Sequence, residues 1–168
     1  MKPVFVKDMA YHASGLLKAD LLSRFRNSFL VRDPAATLRS LAKYWPDFTD
    51  EEAGWDAIGV AAEVVEQIGQ PLVVVDADAL GRNPVGVVAA WCAAMDIPFM
   101  PEALTWEPGL RPEWALWAGW HGSTAEASGF RAPGHLPMPP SDAEPRLRDA
   151  YNRALPVYRR LRSPALDK

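Results

Sequence analysis

Arg32 and Ser40 stand eight residues apart in the run Phe29-Leu-Val-Arg-Asp-Pro-Ala-Ala-Thr-Leu-Arg-Ser-Leu-Ala-Lys-Tyr-Trp45, and their types suit the holding of a phosphate. A guanidinium offers a planar fork of donors to phosphate oxygens, and a hydroxyl adds one more hydrogen bond. Elements must bring the two together. Phe29 to Val31 is an apolar, strand-like run that ends in Arg32, and Asp33-Pro34 opens a helix that contains Ser40. Strand, turn and helix then meet where the carboxyl end of a parallel strand opens into a crevice, with free N–H groups at the helix start. A buried strand and a capped helix occur in any α/β protein, with Arg32 paired to Asp33 or another acid. On local pattern both readings stay open.

The chain around this run has 168 residues, 49% of them hydrophobic and 23% charged, enough for one domain with a proper core. A net charge of -3 gives no global attraction to nucleic acid or to an anionic membrane, so anion binding has to be local and a polynucleotide partner is not expected. The one cysteine, Cys92, excludes an internal disulfide and a cysteine-based zinc cluster; its apolar helical surroundings predict a buried, inert thiol. His12, His121 and His135 lack ligand spacing with carboxylates, so no metal site is expected. No serine sits in a nucleophile elbow. The first residues lack a signal-peptide core and no apolar stretch approaches bilayer length, which predicts a cytoplasmic protein without a membrane partner.

Periodicity supplies the surrounding elements. Val4 to Lys7 is expected to form a short buried strand. Leu16, Leu17, Leu21, Leu22 and Phe25 recur at helical spacing before Asn27-Ser28 breaks the pattern. In the next helix Asp33 is the N-cap, Pro34 sits in the first turn, and Leu38, Leu41 and Trp45 form one face, with Ala36 and Ser40 off that stripe. Residues 45–50 form a turn, and a helix follows from Trp55 to Ile68, closed by Gly69. Pro71 to Asp76 is a β-branched run without alternation, a strand covered on both faces. A helix from Val85 to Met95 then directs Val88, Trp91 and Cys92 to the core and stops at Asp96-Ile-Pro98. The order predicts a parallel α/β sandwich.

Beyond Pro101, Trp106, Trp114, Trp117 and Trp120 crowd together with His121 among prolines and glycines. Such a segment is a lid over the core, an aromatic wall for an apolar ligand, or both. Pro133 to Pro140 is a connector, and Asp142 to Arg162 is a closing helix whose arginines suit a solvated face. The expected layout is a single domain over 1–168: an α/β core over 1–100, a Trp- and Pro-rich lid over 101–141 and the closing helix over 142–168.

Phe29-Leu-Val-Arg-Asp-Pro with Ser40 resembles the strand and helix of the sulfotransferases that use 3'-phosphoadenylyl sulfate (PAPS), in which an arginine and a serine at this spacing grip the 3'-phosphate. Val73-Val-Val-Asp76-Ala-Asp78-Ala-Leu80-Gly-Arg-Asn-Pro84, followed by a helix and Met95-Asp-Ile-Pro-Phe99, is similar to that superfamily's strand, E-D-L turn, x-x-P and helix ending in L-G-I-P-F. Lys7-Asp-Met-Ala-Tyr-His12 resembles the K-D-M-A-x-H segment of a bacterial branch labelled sulfotransferase or aminotransferase-like. The likeness runs from about Pro3 to Phe130. It implies a P-loop NTPase-like, sulfotransferase-like parallel sheet flanked by helices. It also implies N-terminal truncation, because the family's phosphosulfate loop precedes the Lys-Asp-Met segment, and no Gly-x-x-x-x-Gly-Lys-[Ser/Thr] occurs here. A bare sheet edge is then expected, covered by a partner subunit or a homodimer.

The resemblance also distributes roles. Arg32 and Ser40 hold the 3'-phosphate of PAPS or its product PAP, with Arg131 in Gly129-Phe-Arg-Ala-Pro-Gly134 over the same group. His12 is the candidate base, Asp8 the fallback, and Lys7 the cation on the bridging oxygen. With Lys7 aligned on the lysine of the family's Lys-Thr-His version, Met9 rather than His12 falls on the base position. Trp106, Trp117, Trp120 and His121 would hold a small-molecule acceptor. The implied reaction is sulfuryl transfer to a hydroxyl or amine; the alternative is a repurposed scaffold without PAPS activity, either an enzyme of small-metabolite biosynthesis or a partner subunit.

Overall fold

The structure is a computed structural model that describes residues 4–132, 134 and 144–166. Ser28–Val31 forms β1 and Val73–Asp76 forms β2, and they pair in parallel with Phe29 opposite Val74 and Val31 opposite Asp76. A parallel pair needs a long crossover, and two helices make it here: α2, Pro34–Tyr44, and α3, Trp55–Gln67. A short α1, Ala19–Leu22, precedes β1. After β2 come α4, Ala77–Arg82, and α5, Pro84–Met95; the chain then passes through α6, Ala118–Ala125, to α7, Pro145–Arg162. The result is mixed α/β, a small parallel sheet flanked by helices.

Strand alternation decides which helices cover which face. Phe29, Val31 and Val74 turn to one side, where Trp55 and Ala62 of α3 and Ala154, Tyr158 and Leu161 of α7 complete the main core. A second core joins α2 to α7 through Ala35, Leu38, Phe48, Ala150 and Tyr151. Helices α3 and α7 approach closely at Gly59, where an added Cβ would lie 3.3 Å from Val157 Cγ1. On the other sheet face α4 and α5 pack against β2, while Leu30 of β1 is 55% exposed. Beyond β2, Leu166 N–H donates to the Val74 carbonyl at 2.8 Å, so the segment after α7 lies along that side of the strand.

Caps set the helix ends. Ala35 N–H donates to Asp33 Oδ1 at 2.8 Å, and Pro34 occupies the first turn of α2. Gly54 takes the left-handed φ of 77° that turns the chain into α3, and Gly69, at φ 75°, ends it. Asn83 Oδ1 accepts from Gly86 N–H at 3.0 Å to start α5, and Asp96, left-handed at φ 56°, stops it.

Several expectations need correction. Val4 to Lys7 is not a strand, and Val4 is 83% exposed; β-branched residues give a strand only where a neighbour pairs with it, and among the described residues none does. The stripe from Leu16 to Phe25 is not one helix: a 3-10 helix spans Ala10–Leu16 and α1 takes only Ala19–Leu22. Of that stripe only Leu22 is buried, and a helix that buries so little of its apolar face has little to lengthen it. Asp78-Ala-Leu80 lies within α4 rather than in a turn. Cys92 is buried as expected. Apart from Gly134, the Pro133–Pro140 connector and the first residues of the expected closing helix, Asp142 and Ala143, lie outside the described residues.

Candidate functional site

Both strands end at the same side of the sheet, and each hands over to a helix through an aspartate. After Val31 come Arg32, exposed, and Asp33, the cap of α2. Directly across, Asp76 is 2% exposed and its Oδ1 accepts the Ala79 N–H at 2.8 Å, capping α4. Its Oδ2 accepts the Tyr158 hydroxyl at 3.0 Å, with Arg162 Nε 3.8 Å away. Burial, and then the Asp76 charge, push the Tyr158 hydroxyl far above the usual tyrosine range. That buried carboxylate is fully employed in holding α4 and α7 to the sheet end.

Arg32 is different. The Asp33 carboxylate is committed to the helix start, and the Arg32 guanidinium makes no hydrogen bond or ion pair among the described residues. Ser40 is half-buried in α2, and its hydroxyl likewise has no hydrogen-bond partner among them. Ser40 lies about 9 Å up the axis from the first residue of α2, six residues at the α-helical rise. Ala36, Ser40 and Tyr44 follow one another at helical spacing on a single face, and no direct bond joins Arg32 to Ser40. An unpaired cation at the carboxyl end of a parallel strand, followed at once by a helix N-terminus, can take an anion.

The Lys7 to His12 segment reaches the same end of the sheet. Helix α3 runs back from β1 to β2, so its first turn lies beside the strand ends, where Trp55 packs against Val31 and edge-on to Tyr158 at 6.1 Å. An added Cβ on Gly54 would lie 3.7 Å from Tyr11 Cδ1. The Tyr11 ring also lies 4.2 Å from the His12 ring. His12 Nδ1 is 2.9 Å from Asp8 Oδ1, and the same oxygen accepts the Met9 N–H at 2.7 Å. Those two hydrogen bonds, that with His12 first, hold the Asp8 carboxyl below its usual range; Lys7 adds a weaker pull. Burial, with Glu52 and Asp8 nearby, pushes the Tyr11 hydroxyl up.

The aromatic residues of the expected lid segment do not form one wall. Trp106 meets Phe130 edge-on at 5.5 Å, next to the bridge between Thr105 and Gly129, and His121 stacks on Trp114 at 4.7 Å. Trp120 instead lies 4.9 Å from Tyr44, one turn beyond Ser40 on α2. The Trp117 side chain and His135 lie outside the described residues. Arg131 is exposed and has no ion-pair or hydrogen-bond partner among the described residues. Among those residues no cluster of His, Cys, Asp and Glu is placed to hold a metal ion, and no helix is long and apolar enough to cross a membrane.

Two residues of this region escaped the pattern of the sequence. Tyr44 is the α2 contact of Trp120, marked in advance only by its helical spacing from Ser40. Tyr158 reaches Asp76 from α7, in a helix whose many arginines suggested solvent; the stripe Ala150, Tyr151, Ala154, Tyr158, Leu161 is the signal that could have found it.

Against known proteins, the sulfotransferase domain model matches residues 2–165. The chain therefore belongs to the sulfotransferase domain family. Among curated proteins it is similar to branched-chain-amino-acid aminotransferase-like protein 1 of Arabidopsis thaliana, 33% identical over 150 residues, 88% of this chain and 26% of that protein. The aminotransferase-like protein 2 of the same plant is 32% identical over 148 residues, 87% of this chain and again 26% of the relative. The chain thus spans about a quarter of the length of these relatives. No solved structure matches it.

Proposed function

We propose that this sulfotransferase domain binds the 3'-phosphate end of PAPS or PAP at the carboxyl end of β1 and serves sulfuryl transfer to a small-molecule hydroxyl or amine. The observation that carries the reading is the unpaired Arg32 guanidinium beside the N-terminus of α2. Ser40 supplies a second, weaker contact, and Arg131 covers the phosphate from the lid side. His12 takes the acceptor proton, Lys7 offsets charge on the bridging oxygen, and Trp106, Trp117, Trp120 and His121 enclose the acceptor. In this reading the two strands belong to a P-loop-like sheet, and the phosphosulfate loop comes from polypeptide beyond these residues, in the same chain or in a partner. The protein works in the cytoplasm, as a dimer or with a partner subunit along the side of β1 that no described strand pairs with.

Calorimetric titration of the full chain with adenosine 3',5'-bisphosphate tests the reading. Binding is expected, and Arg32→Ala is expected to abolish it. No binding, or binding indifferent to Arg32→Ala, defeats the nucleotide assignment and leaves the repurposed scaffold.

A further inference from the structure

Asp8 and His12 form a bonded pair whose geometry is more specific than two exposed side chains require. Asp8 Oδ1 is anchored by the Met9 N–H at 2.7 Å, so the carboxylate is fixed before it meets the imidazole. It then faces Nδ1 of His12 at 2.9 Å, and the Tyr11 ring flanks the imidazole at 4.2 Å. Tyr11 in turn rests against Gly54 at the start of α3. The 3-10 helix Ala10–Leu16, which carries Tyr11 and His12, packs on α3. A carboxylate can only accept, so the Nδ1 that faces it carries the hydrogen, and in the neutral imidazole Nε2 is left with its lone pair.

We propose that Asp8 is a positioning residue for His12: it holds the Nδ1–H tautomer and the ring orientation, leaving Nε2 as the base for the acceptor hydroxyl. The target of that base rests on the sulfuryl-transfer reading given above. The acceptor O–H proton passes to Nε2, the acceptor oxygen bonds to the sulfur of PAPS, and the bond from sulfur to the phosphate oxygen breaks. The 3',5'-bisphosphate departs with the electron pair. The resulting imidazolium keeps its Nδ1–H on Asp8, the arrangement by which the aspartate of a Ser-His-Asp triad supports its histidine. Asp8 is thereby unsuited to be the base itself, since both hydrogen bonds favour its ionised form. Tyr11 is the other group against the ring, while Lys7 acts on Asp8 and Glu52, before α3, acts on Tyr11.

The test is a pair of measurements on the full chain, wild type, Asp8→Ala and Asp8→Glu. Ring-nitrogen NMR of His12, taken at a pH where the imidazole is neutral, is expected to show Nδ1 protonated and Nε2 bare in the wild type. Asp8→Ala should show the opposite tautomer in the majority. With PAPS and an alcohol acceptor, Asp8→Ala should lower kcat by about 10- to 100-fold at unchanged KM, and Asp8→Glu should restore part of it. Both side chains are more than half exposed, so neither variant threatens folding. A tautomer that does not move in Asp8→Ala overturns the proposal, as does a shifted tautomer with wild-type kcat. A shifted tautomer in a wild type that transfers no sulfuryl group even with the loop-bearing polypeptide present overturns the transfer reading, and leaves Asp8's hold on the ring intact.

Discussion

Arg32 and Ser40 differ in what each would lose by substitution. A bidentate guanidinium contact to phosphate is charge-assisted and planar, so Arg32→Lys keeps the charge and loses the fork. It is expected to weaken binding of the bisphosphate by roughly 2 kcal/mol, whereas Ser40→Ala should cost only about 1 kcal/mol; isothermal titration of both variants checks the order. Tyr158 carries a different prediction. Its hydroxyl pKa lies above the ordinary 10.0 because of burial and Asp76. A raised folded value stabilises the fold below pH 10 and loses that contribution as pH rises through the folded value. Urea unfolding at pH 8 and at pH 11 should therefore show a loss at the higher pH that Tyr158→Phe diminishes.

Elements differ in how openly the sequence declares them. Asp33-Pro34 names the start of α2 because the cap and the fixed proline φ act locally, and the β-branched run before Asp76 names β2 because both faces are buried. Val4 to Lys7 has equal local propensity and stays unpaired, since a strand is a property of two segments. The place of Arg32 between the end of β1 and the cap of α2 was legible for the same local reason. The bond between Asp8 and His12 was not, because it depends on the turn of a 3-10 helix set by packing on α3. Phe48 shows a third case, a single aromatic in a polar turn that no periodicity can flag. It is 2% exposed, shared between α2 and α7, and covered by the Arg146 guanidinium at 4.6 Å. Phe48→Ala should destabilise the chain by about 3–5 kcal/mol in chemical denaturation.

For the whole molecule, the sheet formed by the described residues is the weak part. Two strands of four residues each are marginal alone, and stability rests on α3 and α7 over one face and on α4 and α5 over part of the other. Leu30 lies on the part they leave open. Light scattering after size exclusion is expected to give a mass above the 18.5 kDa of one chain; a monodisperse species at that mass would count against a covered β1 edge. Exposed ion pairs, such as Arg153 with Asp50 and Arg160 with Glu63 and Glu66, tie α7 to its neighbours without adding much energy.

The closest helix contact has a mechanical side. With Val157 already against residue 59, even one methyl there is a wedge between α3 and α7. Helix α7 is long and stiff, and one residue past Val157 it grips Asp76 through Tyr158. A wedge at Gly59 therefore acts one residue from the grip on Asp76, so the spacing of the two helices sets the tension on the strand ends.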